Sequence, residues 1–142
     1  MTSTPENSPL SQKPGRLKRR LGRAELSFDA AVLEILVDRE PENAAHLTAL
    51  SDLCTRLRRY RRGLEVGERL VAAEPEEPEH HYRLACTLSL SGDIARSCEE
   101  LMAAIDLGHR DMRRIERDTD LRRLREDPCF TLVRDALRDI EE

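Results

Sequence analysis

Catalysis requires a nucleophile, a base or a metal held in a water-poor site, so the cysteines and histidines come first. The cysteines are Cys54, Cys86, Cys98 and Cys129; none forms a C-x-x-C pair, and none has a histidine at zinc-finger spacing. In a reducing compartment such cysteines read as small apolar core residues. His80 and His81 are adjacent. On a helix they point about 100° apart and do not chelate one ion as an i, i+4 pair does. One is expected to pack at the helix crossing and the other to face water. The chain contains no G-x-S-x-G, no phosphate-binding glycine loop, no H-E-x-x-H and no glycine-rich dinucleotide fingerprint. Cys86 has no assured basic neighbour to activate it. The chain therefore reads as a non-enzyme, with no catalytic, cofactor or metal site.

Charge offers a second kind of chemistry. Arg56, Arg58, Arg59, Arg61 and Arg62 crowd one stretch. They could grip an acidic peptide or a phosphate, or simply be a solvated turn that offsets Glu65 and Glu68. The acidic cluster Glu74, Glu76, Glu77 and Glu79 lies near a helix start, where the helix dipole favours carboxylates. Residues 1–24 carry Glu6 against Lys13, Arg16, Lys18, Arg19, Arg20 and Arg23, a basic segment on a chain of net charge −4. Six cations could neutralise phosphates of a nucleic acid or another anionic surface, although this segment lacks aromatics for base stacking. Its first 15 residues are rich in Ser, Thr and Pro, and Gly22 weakens helix beyond them. Residues 1–24 are thus expected to be a disordered basic arm.

Few elements are available to position a site. Charged residues make up 37 % of the 142, against about 25 % in a typical domain, and aromatics only 3 %. That balance suits thin helical layers, each wet on one face, and excludes a large aromatic-walled pocket. No apolar run approaches the ~18 residues of a membrane span, and the N-terminus lacks the apolar core of a secretory signal. A cytoplasmic location is expected.

A helix capped by Ser27 or Asp29 is predicted to end near Glu40, before Pro41, with Phe28, Val32, Leu33, Ile35 and Leu36 on a broad apolar face. Pro41 and Pro75 lie 34 residues apart, and residues 44–77 align with 78–111 at that offset. The alignment pairs Leu50 with Leu84, Ser51 with Ala85, Cys54 with Leu88, Leu64 with Cys98 and Leu70 with Ala104. Each stretch reads as helix, turn, helix. Asn43 caps a helix to about Leu57, and a second runs from about Arg61 to Ala73. Pro78 suits a first helical turn, Gly92 breaks the chain, Asp93 caps the next helix, and Gly108 ends it.

This pattern resembles the tetratricopeptide repeat (TPR). The first stretch matches through Leu47, Leu50, Ser51, Cys54, Tyr60, Gly63 and Pro75, departing at Arg58, where the family has Gly, and at Leu70. The second matches through Leu84, Ala85, Leu88, Gly92, Ser97, Leu101 and Ala104, departing at His81 and His109. The stretch 118–133, through Leu121, Leu124, Arg125, Asp127, Pro128 and Phe130, is similar to a segment that often closes bacterial TPR arrays. Asp127 is predicted to cap a final helix bearing Phe130, Val133, Leu137 and Ile140 on one stripe.

The resemblance implies an all-α fold: a short right-handed α-α superhelix, or TPR solenoid, of about two full repeats plus flanking helices. Residues 25–142 would form it, with full repeats 44–77 and 78–111 and capping helices over 112–142. It implies a concave groove lined by Ala45, Thr48, Asp52, Thr55 and Arg56, then Glu79, Tyr82, Cys86, Ser89 and Leu90. The implied role is a non-catalytic scaffold that binds a peptide or helix of another protein there. With no Lys or Asn at these positions, a clamp for a C-terminal carboxylate is not expected. The alternatives are that the groove is filled by the protein's own arm or terminal helix, that the basic arm binds nucleic acid or an anionic surface, or that the chain is an accessory subunit of an enzyme complex. An array this short also exposes apolar end faces that could pair.

Overall fold

The computed structural model describes residues 14–141. Among them the chain is helical, with no strand. The elements are α1 (Pro14–Arg39), α2 (Ala44–Arg56), α3 (Tyr60–Ala73), α4 (Pro78–Ser91), α5 (Ile94–Asp106), α6 (Met112–Arg117), a 3₁₀ turn (Thr119–Leu121), α7 (Arg122–Arg125) and α8 (Phe130–Glu141). From α1 to α5 each helix packs on the next. Beyond α5 the 3₁₀ turn and α7 lie against α4, and α8 lies against α5. No described helix is long and apolar enough to cross a membrane.

The 34-residue period governs where helices begin. α2 starts at residue 44, α4 at 78 and α6 at 112, while α3 and α5 start at 60 and 94. The caps recur with the same period. Asn43 accepts from the His46 amide (3.1 Å), Glu77 from the Glu79 amide (3.4 Å) and Asp111 from the Arg114 amide (2.9 Å). Each side-chain oxygen satisfies a donor that the first helical turn leaves unpaired. The period therefore continues into a third unit, whose first helix is interrupted at Asp118 and resumes as α7.

The turns repeat too. After α4 the Asp93 amide reaches Leu88 O (3.0 Å) and the Gly92 amide reaches Ser89 O (3.2 Å). After α2 the Arg59 amide reaches Cys54 O (2.8 Å) and the Arg58 amide reaches Thr55 O (3.1 Å). Both are Schellman caps, which require a left-handed residue at their centre. Gly92 takes φ 92° and Arg58 takes φ 59°. Arg58 thus adopts at its turn the backbone that glycine adopts in the sister turn.

Two cores result. Leu47, Leu50, Cys54, Leu57, Val66 and Leu70 bury with Ala30 and Val37 of α1. Ala85, Leu101, Ala104, Ile105, Ile115, Leu121, Leu124, Phe130 and Val133 form the other, around α4 and α5. Leu50 and Leu84 are both buried, as are Ser51 and Ala85, and Cys54 and Leu88. Where the second hairpin crosses, the buried Ser97 hydroxyl donates to Ala85 O at 2.7 Å. At the matching place in the first hairpin Gly63 brings its backbone close to Cys54 and Thr87.

Three expectations are corrected at the ends of the chain. α1 begins at Pro14, so Ser27 and Asp29 lie inside a helix and do not cap one. The Arg23 guanidinium of α1 donates to Leu57 O at 3.3 Å, satisfying a carbonyl at the end of α2. The expected disorder of residues 1–13 lies outside the described residues. Of the apolar face expected on α1, Leu33 packs on the body beside Leu26, Ala30 and Val37, while Phe28, Val32 and Ile35 are exposed. On α8, Phe130, Val133 and Leu137 are buried but Ile140 is exposed, and the helix begins two residues after Pro128, with Asp127 accepting from the Cys129 amide (3.0 Å).

The left-handed backbone at Arg58 yields a prediction. A non-glycine residue there costs roughly 1 kcal/mol, and the exposed Arg58 side chain forms no core contact. Arg58→Gly is expected to raise unfolding free energy by about 1 kcal/mol, read by urea denaturation. A destabilised variant would contradict this account of the turn.

Candidate functional site

The ten residues expected to line one groove fall into two sets. On α2, Ala45, Asp52 and Arg56 are exposed and Thr48 and Thr55 half-buried. Their spacing puts them along one side of the helix. On α4, Tyr82, Cys86 and Ser89 are buried, while Glu79 and Leu90 are half-buried. Arg83 of α4 donates to the Asp52 carboxylate of α2, so the open face of the first unit runs onto the edge of the second.

What covers α4 is the chain's own third unit. The Tyr82 hydroxyl donates to Asp118 Oδ2 at 2.8 Å, and the Cys86 thiol approaches the same oxygen at 3.7 Å. Asp118 Oδ1 accepts from the Asp120 amide at 3.0 Å, which caps the 3₁₀ turn. The Tyr82 ring stacks on His109 with centroids 4.7 Å apart, and the Arg114 guanidinium lies 4.1 Å from the ring centre. Arg114 also makes a two-pronged pair with Glu79 at 2.6 and 2.8 Å. Arg125 donates to the carbonyls of Ile115 and Asp118, bracing the interrupted helix from behind. The cover over α4 is thus the segment from His109 to Arg125, and neither the N-terminal arm nor the terminal helix α8, which lies against α5.

The electrostatics follow from this enclosure. Burial pushes the Tyr82 hydroxyl up, aided by Cys86 and Asp118. Burial likewise pushes the Cys86 thiol well up, and the Asp118 charge adds to it. Neither group is an activated nucleophile. Cys54 is also raised by burial. All four cysteines are free thiols; the Cys98 thiol donates to Cys129 O at 3.6 Å. Cys86, Asp118 and Asp120 bring ligand atoms within 4.8 Å of one another, a cluster the sequence spacing concealed. Asp118 there is already engaged by Tyr82, Cys86 and the Asp120 amide, and burial raises the Asp120 carboxyl.

The histidines do not divide as expected, because neither faces water. His80 is buried and its Nε2 meets Glu74 at 2.9 Å; His81 bridges Glu100 at 2.8 Å and Pro75 O at 2.7 Å. His80 thus ties Glu74 to the start of α4, and His81 ties that start to the Pro75 carbonyl and to Glu100 of α5.

The basic stretch at the α2–α3 turn gains neighbours that sequence did not reveal. Arg62 is held by Glu34 of α1 at 2.7 and 2.9 Å and by Glu65 at 3.0 Å. Its bond to Glu34 holds that carboxyl below the usual range. Arg59 donates to Ser27, and Arg23 of α1 reaches the same turn. Arg56, Arg58 and Arg61 remain exposed. Two basic runs, far apart in sequence, thus meet at one end of the molecule. Lys13 lies outside the described residues.

No protein-family model matches the chain, and no curated protein does.

Two predictions test the enclosure. Tyr82→Ala is expected to cost on the order of 3–5 kcal/mol of stability by urea denaturation, since it removes a buried ring and one of the three partners of Asp118. A cost below about 1 kcal/mol would mean that the ring is not enclosed. The second concerns pH. Burial, then the Arg114 charge, holds His109 below its ordinary pKa of about 6.5. The unfolded chain therefore takes that proton first, so stability is intact above about pH 6.5 and declines as pH falls toward the folded pKa. Glu79, held low by its bond from Arg114, acts in the same direction at more acid pH, its stabilisation fading below about pH 4.5. The urea midpoint is expected to drop from pH 7 to about pH 5, and His109→Gln to flatten that drop. An unaltered slope in the variant would assign the drop elsewhere.

Proposed function

We propose that the chain is a short TPR-type solenoid serving as a non-catalytic protein-binding module, with its peptide site on the open face of α2. The observation that carries the reading is the division of the expected groove. The third unit occupies the α4 half, whereas Ala45, Thr48, Asp52, Thr55 and Arg56 remain accessible, with Arg83 extending them. Helix starts and left-handed turns recurring with one 34-residue period support the repeat class. That face is polar and of mixed charge. Its fitting partner is an extended or helical segment with an acidic group for Arg56. The role of accessory subunit in a larger complex is a special case of this reading.

A second reading is favoured by the meeting of α1 and the α2–α3 turn. Arg19, Arg20 and Arg23 with Arg56, Arg58 and Arg61 form a basic end suited to a nucleic acid or another polyanion.

One experiment separates them. Affinity capture is compared for wild type, Thr48→Arg/Asp52→Arg, and Arg58→Glu/Arg61→Glu, with filter binding of single-stranded and duplex DNA and RNA alongside. All four substituted side chains lie outside the core, so folding is expected to be intact. The leading reading predicts that the first pair loses a protein partner while nucleic-acid binding is unaffected. An unchanged partner set would contradict it. The second reading predicts salt-dependent nucleic-acid binding that the second pair reduces by roughly tenfold or more.

A further inference from the structure

α1 has two apolar faces where a surface helix of a lone domain needs one. Ala30 and Val37 are buried against the body, with Leu26 and Leu33 beside them. The opposite side carries Ala24, Phe28, Ala31 and Ile35, all exposed; Phe28 is 70 % accessible and Ile35 55 %. Val32, 41 % accessible, flanks them. Their spacing of four, three and four is the a/d step of a heptad. The sequence continues it backward through leucines at positions 21 and 17.

Charge is divided along the same helix. Its first half holds Arg16, Lys18, Arg19, Arg20 and Arg23 against Glu25; its second holds Asp29 and Asp38 against Arg39, with Glu40 just beyond and Glu34 already paired with Arg62. Two copies laid parallel would set like charge on like. Two copies laid antiparallel set each basic half on an acidic half.

We propose that the outer face of α1 is a self-association surface through which two copies of this chain form an antiparallel dimer. The register follows from residue size. Centred midway between residues 24 and 28, Phe28 of each copy meets Ala24 of the other. A large residue then opposes a small one on both sides of the centre, as close packing favours. The contact is isologous and closes on itself. The exposed Leu132 and Ile140 of α8 offer the stripe a different mate, but an α1-to-α8 contact runs head to tail and leaves a free end on every chain. This surface is separate from the α2 face, and neither reading depends on the other.

The test is the mass of the full chain by light scattering and sedimentation over roughly 1–100 µM. A dimer is expected, weakened by added salt because opposite charges are screened. Phe28→Glu/Ile35→Glu is expected to weaken association by roughly 100-fold or more, with helical content unchanged because neither side chain is in the core. Phe28→Leu/Ile35→Leu is expected to keep the dimer, and Ala31→Arg to lose it by an independent single change. A chain monomeric throughout overturns the proposal, as does a Glu variant that associates like wild type. A dimer that tightens with salt overturns the antiparallel arrangement, and masses growing past the dimer assign the stripe to α8. A monomer that binds phosphatidylserine vesicles through Phe28 would assign it to a lipid surface instead.

Discussion

The bond from the Tyr82 hydroxyl to Asp118 decides which part of this molecule is interior and which is surface. Tyr82 sits on α4, whose side would be open groove if the chain stopped at α5. A buried hydroxyl must find a partner. It finds one in a carboxylate that also caps the 3₁₀ turn, so one oxygen pair fixes both the ring and the interruption in the third unit. His109 and Arg114 close over the two faces of that contact region. The Glu79–Arg114 pair is partly exposed and contributes little by itself. Its use is geometric, because it holds the guanidinium over the ring. Ring burial supplies the energy and the polar bonds set the pose.

The second constraint is the 34-residue period of caps and turns. Asn43, Glu77 and Asp111 open the first helix of each unit, and the left-handed residues Arg58 and Gly92 close it in the first two. With starts and stops fixed locally, small residues at the crossings let successive helices approach. Gly63 does so against Cys54 and Thr87, and Ser97 does so while hydrogen-bonding Ala85 O. The period also explains why the third unit lands on α4: Met112 begins where a third hairpin would.

Local signals were legible in the sequence because they act within a few residues. Pro41, Asn43, Pro78, Gly92 and Asp93 marked helix ends that the structure keeps within a residue or two. The helical class and the pairing of buried positions between 44–77 and 78–111 follow from the same pattern. What escaped depends on contacts made across the chain. Arg23 meets Leu57 over 34 residues and ties α1 to the end of α2. Tyr82 meets Asp118 over 36 and converts a groove position into core. Asp111 in register with Asn43 and Glu77 was the available sign that a third unit follows. The outer stripe of α1 was visible as apolar periodicity, but periodicity alone does not say which of two faces turns inward.

The molecule has one covered helix face, on α4, and one open face, on α2. Cys86 lies beneath the third unit and reports on it directly. Thiol alkylation of the native protein, followed site by site by mass spectrometry, measures that cover. The account predicts that Cys86 is modified no faster than the segment 112–125 opens, and promptly once urea unfolds the chain. Prompt modification of Cys86 in the native state, with Cys54 still protected, would show an open groove over α4 and contradict it.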